Sequence, residues 1–143
     1  MGVLYTVLPL EAELVAYLKS QGISAPNGLS RNPTPKEVRA SVEGISGINP
    51  KIVDGSDGLL RQVLLTSIDP DTGPWTILNV RKNSGEDRPC EIWFEKGWPE
   101  LIIEVLVRLT QQCGVLVLIA DAGGDPLLIH PHQKASELLE SWQ

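Results

Sequence analysis

The chain has 143 residues, of which 42% are hydrophobic and 21% are charged, and these fractions are typical of a globular domain. A chain of this length buries about 70% of its unfolded surface, so it can form a core without disulfides or a structural metal. Its 18 acidic and 12 basic residues give a net charge of -6. Because phosphate-backbone binding uses clustered Lys and Arg, this balance argues against direct nucleic-acid binding and favours a basic protein partner.

The N-terminal segment and the two cysteines indicate a cytoplasmic protein without a cofactor. The first apolar stretch has no basic region before it and is interrupted by glutamates, unlike a secretion signal. The longest apolar run contains Glu104 and Arg108 and is too short to span a membrane. Cys90 and Cys113 are too few for a disulfide framework and lack a zinc-binding grouping, so we expect buried, reduced thiols.

The first half of the chain contains two predicted helices and a predicted hairpin. Leucines at helical spacing, a proline at the start and Gly22 after the end predict a helix over residues 9–21. The capping-box sequence "TPKE" begins a second, shorter helix that ends before Gly44. Segments 61–69 and 75–81 predict an antiparallel hairpin. Residues 52–53 also have strand character, but a loop follows them and the predicted element order leaves them out.

The pattern in the second half of the chain predicts a strand, a buried helix, two more strands and a final helix, which together with the first half indicate an α+β domain. Alternation in "CEIWFE" predicts a strand over 90–95, with Cys90, Ile92 and Phe94 on one face and Glu91, Trp93 and Glu95 on the other. Pro99 begins a largely buried helix that ends at Cys113, and two apolar strands and an amphipathic helix follow at 115–120, 127–130 and 133–141. We therefore expect one α+β domain over residues 1–143, mainly antiparallel sheet packed against helices, in the order α-α-β-β-β-α-β-β-α.

Carboxylates and tryptophans are the candidate binding residues. Glu91 and Glu95 share one strand face, which is typical of a solvated strand, of a partner-binding face and, less specifically, of paired catalytic carboxylates. Asp121 and Asp125 flank the glycines of "DAGGDP", which suits a hairpin turn and is too short for a calcium loop. The chain has four tryptophans, a residue type enriched at interface hot spots, and Trp98 at the strand-to-helix corner is either a core lid or a partner anchor.

His130 and His132 are the only histidines, and they form His-Pro-His. Metal binding needs at least a third ligand, so we expect no metal site. Either histidine can act in acid–base chemistry, but the sequence contains no paired nucleophile or Gly-x-Ser-x-Gly elbow. We therefore predict no catalytic residues and a protein that is not an enzyme, with a small enzyme or ligand-binding domain using these histidines in a pocket as the alternative.

Residues 100–129, "ELIIEVLVRLTQQCGVLVLIADAGGDPLLI", resemble the C-terminal half of small acidic bacterial immunity proteins of polymorphic and type VI secretion toxin systems. The resemblance implies a cytoplasmic protein that binds a cognate toxin with a basic surface and occludes its active site. The predicted contact residues are Glu91, Glu95, Trp98, Asp121 and Asp125. A third hypothesis is a self-associating adaptor, for example a homodimer, with an apolar surface patch around the last helix.

Overall fold

The computed structural model describes residues 3–26, 28–69, 71–82 and 84–142. They form one antiparallel seven-stranded sheet with four helices, which confirms the predicted α+β class. The elements in chain order are β1 (Leu4–Pro9), α1 (Ala12–Ser20), α2 (Pro35–Val42), β2 (Ile48–Asp54), β3 (Leu60–Ser67), β4 (Thr76–Val80), β5 (Ile92–Gly97), α3 (Pro99–Cys113), β6 (Leu116–Ala120), β7 (Leu127–Ile129) and α4 (Ala135–Trp142). In space the strands lie in the order β2-β3-β4-β5-β1-β6-β7.

Two strands were missing from the predicted element order. The predicted first helix began at Pro9, but Pro9 is the last residue of β1 and α1 begins at Ala12. β1 lies in the middle of the sheet, between β5 and β6. β2 has seven residues and forms one edge of the sheet, where the sequence indicated strand character only at 52–53. β1 was missed because its partners β5 and β6 lie far along the chain, whereas β2 was missed because it is a mostly exposed edge strand that contains Pro50 and lacks regular apolar alternation.

Most of the core lies on one face of the sheet. Phe94 on β5 is fully buried there and lies opposite Tyr5 of β1 and Leu78 of β4. Helices α2, α3 and α4 contribute to this core, and α3 buries nine of its fifteen residues, as its apolar stripe predicted. On the opposite face, Val117 of β6 packs with Leu18 of α1 in a smaller cluster. We call this second face, which carries α1, the outer face.

The N-terminus of α2 is stabilised by the capping box that its sequence predicts. The Thr34 hydroxyl accepts a hydrogen bond from the Glu37 N–H at 3.1 Å, and Glu37 Oε1 accepts one from the Thr34 N–H at 2.9 Å. Both carboxylate oxygens of Glu37 also accept hydrogen bonds from the Arg31 guanidinium, each at 2.7 Å. Arg31 in turn donates to the carbonyl of Gln112 near the end of α3. The capping box therefore joins α2 to α3.

We expect Glu37→Gln to destabilise the protein at pH 7 by up to about 1 kcal/mol, because glutamine keeps an acceptor for the Thr34 N–H but loses the charge that pairs with Arg31. The hydrogen bonds from Arg31 hold the pKa of Glu37 below its ordinary value of 4.5. A carboxylate whose folded-state pKa is lowered stabilises the fold above the ordinary pKa, and this stability is lost as the pH falls through the folded-state pKa. The difference between wild type and variant, measured by urea unfolding, should therefore shrink from pH 7 to pH 3.

Arg31→Gln is the control for this experiment, because it removes the group that lowers the pKa of Glu37. In that background the loss of stability caused by Glu37→Gln should depend less on pH between 7 and 3. A Glu37→Gln difference that is equally large at pH 3 and pH 7 would contradict the assignment.

Candidate partner-binding surface

One end of the sheet gathers segments that are far apart in the sequence. β3, β5 and β6 end there, and β1, β4 and β7 begin there, because all neighbouring strands are antiparallel. The turns at this end therefore lie next to one another. We call this surface the acidic end and define it by residues 3–4, 67–69, 71–76, 95–100 and 121–126.

The acidic end has a strongly unequal charge. It carries six carboxylates and one lysine, namely Asp69, Asp71, Glu95, Glu100, Asp121, Asp125 and Lys96. The ion pairs that join described residues involve other carboxylates, such as Glu37 with Arg31 and Asp54 with Arg39. Most of the protein's excess negative charge is therefore concentrated at one end and left without a cationic partner within the described chain.

Four of the five predicted contact residues lie at the acidic end: Glu95, Trp98, Asp121 and Asp125. The fifth, Glu91, lies just before β5, at the opposite end of the sheet, and is ion-paired with Arg81, with Nε and Oε2 2.6 Å apart. Glu91 and Arg81 line a groove of about 240 Å³ on the outer face beside Trp93. The structure thus groups four predicted residues and separates Glu91 from them.

Glu95 and Asp121 lie in one row across the outer face, on either side of Leu4. Leu4 is the strand partner of Glu95, and its N–H donates a hydrogen bond to Asp121 Oδ1 at 3.0 Å. Two strand spacings separate the two acidic residues, which places their Cα atoms about 10 Å apart. Leu4 itself is 39% exposed. This row presents an apolar side chain between two carboxylates.

Two exposed tryptophans lie beside the carboxylates. Trp98 is the N-cap residue of α3 and is 44% exposed, and its N–H donates to the carbonyl of Trp75 at 2.9 Å. Trp75 is 39% exposed. Trp75 was not among the predicted contact residues, because its proximity to Trp98 depends on the pairing of β4 with β5. The exposure of Trp98 favours the anchor interpretation over the lid interpretation.

The other two tryptophans have structural contacts. Trp142 packs against Tyr5, with ring centroids 6.2 Å apart, and its indole N–H donates to the carbonyl of Asp125 at 3.1 Å. This contact holds the β6–β7 turn against the last helix. Trp93 is half-buried on the outer face, opposite Asn79 and Thr6. Neither ring is among the exposed large hydrophobic side chains.

The edges of the sheet are poorly suited to adding a strand from a partner. On the β2 edge, Pro50 has no N–H to donate and Lys51 is exposed. On the other edge, β7 has only three residues, between Pro126 and Pro131. Proline, lysine and short strands are the usual means by which proteins block strand addition at sheet edges. A partner is therefore expected at the turns or at a sheet face.

The two histidines lie directly after β7 and in the turn before α4. The His130 N–H donates to Gln133 Oε1 at 2.7 Å, and His132 has a positive φ of 68° at the turn before α4. A groove of about 1110 Å³ lies between α2, α3 and α4, and neither it nor two smaller cavities of about 240 and 230 Å³ is lined by a histidine. Within the described residues, no group of three or more His, Cys, Asp or Glu side chains can hold a metal ion.

The two cysteines are poor nucleophiles. Both are buried and free, as the sequence predicted. Burial raises the pKa of Cys90 to about 12 and that of Cys113 to about 11, because the thiolate is costly to desolvate. The thiolate is the reactive form of cysteine. At neutral pH both side chains are therefore protonated packing residues.

The fold and this surface describe an antiparallel α+β domain whose acidic end carries exposed tryptophans. No family model matches the chain, and no curated protein or solved structure gives a significant match. Among the described residues, no helix is long and apolar enough to cross a membrane.

Proposed function

We propose that this protein is a non-catalytic binding protein whose acidic end docks onto a basic surface of a partner protein. The observation that carries the proposal is the concentration of unpaired carboxylates around two exposed tryptophans, Trp75 and Trp98. Complementary charge accelerates encounter between proteins, and tryptophan supplies large contact area at interface centres. The resemblance of residues 100–129 to immunity proteins makes a cytoplasmic toxin domain the proposed partner.

The mechanism would be occlusion of the toxin's active site. A toxin that acts on nucleotides or nucleic acid needs cationic groups to hold phosphate, and those groups attract carboxylates. The acidic end offers Glu95, Asp121 and Asp125 for such contacts, with Trp98 beside them. Once bound, the acidic end would fill the space that the substrate needs.

The charge distribution argues against self-association through the same surface. In a two-fold symmetric dimer the same patch meets itself, so the six carboxylates of one copy would face those of the other. Like charges in an interface are destabilising. The adaptor hypothesis placed its apolar patch around the last helix, but the exposed residues of α4 are all polar: Ser136, Glu137, Glu140 and Ser141. The acidic end is better suited to a basic partner than to a second copy.

Ligand binding is the second candidate function, and the groove between α2, α3 and α4 supports it. Its walls include Lys36, Arg108 and Gln133, and its volume of about 1110 Å³ exceeds what most small ligands fill. The histidines on which this alternative was based are not part of the groove. The groove therefore supports a polar or extended ligand rather than histidine-based catalysis.

Co-expression with the product of the neighbouring gene tests the proposed function. We expect a stable complex that protects cells from that product, and an association rate that falls as salt is raised, because salt screens steering by surface charge. Lysine substitutions at Glu95 and Asp121 should slow association at low salt by about tenfold.

Glu13→Lys is the matched control, because Glu13 is an exposed carboxylate on α1 outside the acidic end. Glu13→Lys changes the net charge by the same amount as a lysine substitution at Glu95 or Asp121, but it should slow association much less than either. The proposal fails if no complex forms and cells are not protected, or if Glu13→Lys slows association as much as the substitutions at the acidic end.

A further inference from the structure

Asn79 is a buried polar side chain on the outer face of β4. It is 8% exposed, and strand pairing places it between Gln62 of β3 and Trp93 of β5. Its carbonyl oxygen Oδ1 accepts a hydrogen bond from Gln62 Nε2 at 3.0 Å, and its amide Nδ2 donates to Glu95 Oε1 at 2.9 Å. The three side chains form a polar ladder across β3, β4 and β5.

The ladder gives Asn79 a role that an apolar or acidic residue cannot take. An asparagine amide both donates and accepts, so it can bond a carboxylate on one side while its carbonyl receives a second amide. Gln62 holds the Asn79 carbonyl and thereby directs the NH₂ group toward Glu95. The orientation of the amide is thus set by partners on both sides.

Glu95 is fixed by only one of its oxygens. Oε1 accepts from Asn79, whereas within the described residues Oε2 accepts no hydrogen bond and no cation pairs with the carboxylate. The side chain is half-buried at the boundary between the outer face and the acidic end. Glu95 is therefore an oriented carboxylate with free acceptor sites.

We propose that Asn79 is a positioning residue that holds Glu95 to bind an arginine of the basic partner. This inference rests on the proposed function, since it assumes that Glu95 lies in the interface. A carboxylate held in one rotamer loses less side-chain entropy on binding. The planar guanidinium exploits fixed carboxylate geometry through two parallel hydrogen bonds, whereas the ammonium of lysine acts as a point charge. Asn79 therefore selects arginine over lysine.

The test uses hexa-arginine and hexa-lysine peptides as probes of the full chain at low salt. We expect hexa-arginine to bind more tightly, and the side-chain amide signals of Asn79 to shift in NMR spectra as it binds. Asn79→Leu, or Asn79→Ser if the leucine variant does not fold, should weaken hexa-arginine binding about threefold and reduce the preference over hexa-lysine. Immobilising a side chain on binding costs about 0.5–1.5 kcal/mol, and a threefold loss of affinity lies within the range that this cost corresponds to.

Two comparison variants separate positioning from a general loss of structure. Glu95→Gln keeps an acceptor for Asn79 but removes the charge, so Asn79→Leu should have no further effect on peptide binding in that background. Thr66→Val changes a polar residue of the same face outside the ladder, where Thr66 donates to the Asn49 carbonyl, and should leave the arginine preference unchanged.

The outcomes distinguish this inference from the proposed function. The positioning role is wrong if hexa-arginine does not bind. It is also wrong if Asn79→Leu weakens the binding of hexa-arginine and hexa-lysine by the same factor, and does so to the same extent in the wild-type and Glu95→Gln backgrounds. A co-expressed complex that still forms in that case leaves the proposed function intact. An arginine preference that depends on Asn79 and Glu95, without any complex with the neighbouring gene's product, supports the positioning role and contradicts the toxin-binding proposal.

Discussion

Gly97→Ala is expected to lower the free energy of unfolding by about 3 kcal/mol. Gly97 has a φ of +99°, which L-residues rarely adopt, and a Cβ at this position would lie 2.2 Å from the Trp75 carbonyl oxygen and 2.6 Å from Thr76 Cα. Backbone strain and overpacking each cost about 1–3 kcal/mol. The midpoint of thermal unfolding should fall by roughly 10 °C, measured by circular dichroism.

Gly123→Ala is the matched control. Gly123 has nearly the same φ, +100°, but a Cβ there would meet no atom within 4 Å. This variant incurs the backbone strain without the collision and should be destabilised by about 1 kcal/mol. If the two alanine variants are equally stable, close packing of β5 against β4 at this corner is not the reason for the glycine.

Trp98→Ala is expected to weaken partner binding by about 2 kcal/mol, or about thirtyfold, the lower limit for an interface hot spot. The side chain is 44% exposed and makes no cap hydrogen bond to α3, so the free energy of unfolding should change by less than about 1 kcal/mol. The measurements are calorimetry with the co-expressed partner and urea unfolding of the isolated chain.

Tyr17→Ala is the comparison for Trp98. Tyr17 is a 49% exposed aromatic residue on α1, outside the acidic end, and its loss should leave affinity unchanged. A Trp98→Ala variant that loses several kcal/mol of stability but binds its partner normally would show that Trp98 covers the core. The anchor interpretation would then be wrong.

The corner "FEKGWPEL", residues 94–101, shows which features of the candidate site can be predicted from the sequence. The alternation that buries Phe94 and the helix that begins at Pro99 were both predicted, and both are present. The position of Trp75 next to Trp98 was not predicted, since it depends on pairing between β4 and β5. The ladder from Gln62 through Asn79 to Glu95 was missed for the same reason: its members are separated by 16 or 17 residues along the chain.

The sequence by itself determined the elements whose signals are local. The capping box at Thr34, the apolar stripe of α3 and the turn residues between β3 and β4 act over a few residues, so they could be identified without a fold. The tertiary structure alone decided that β1 lies between β5 and β6, and that the strand ends bring six carboxylates to one surface. Strand pairing joins distant segments according to which surfaces they bury together, and this depends on the whole chain.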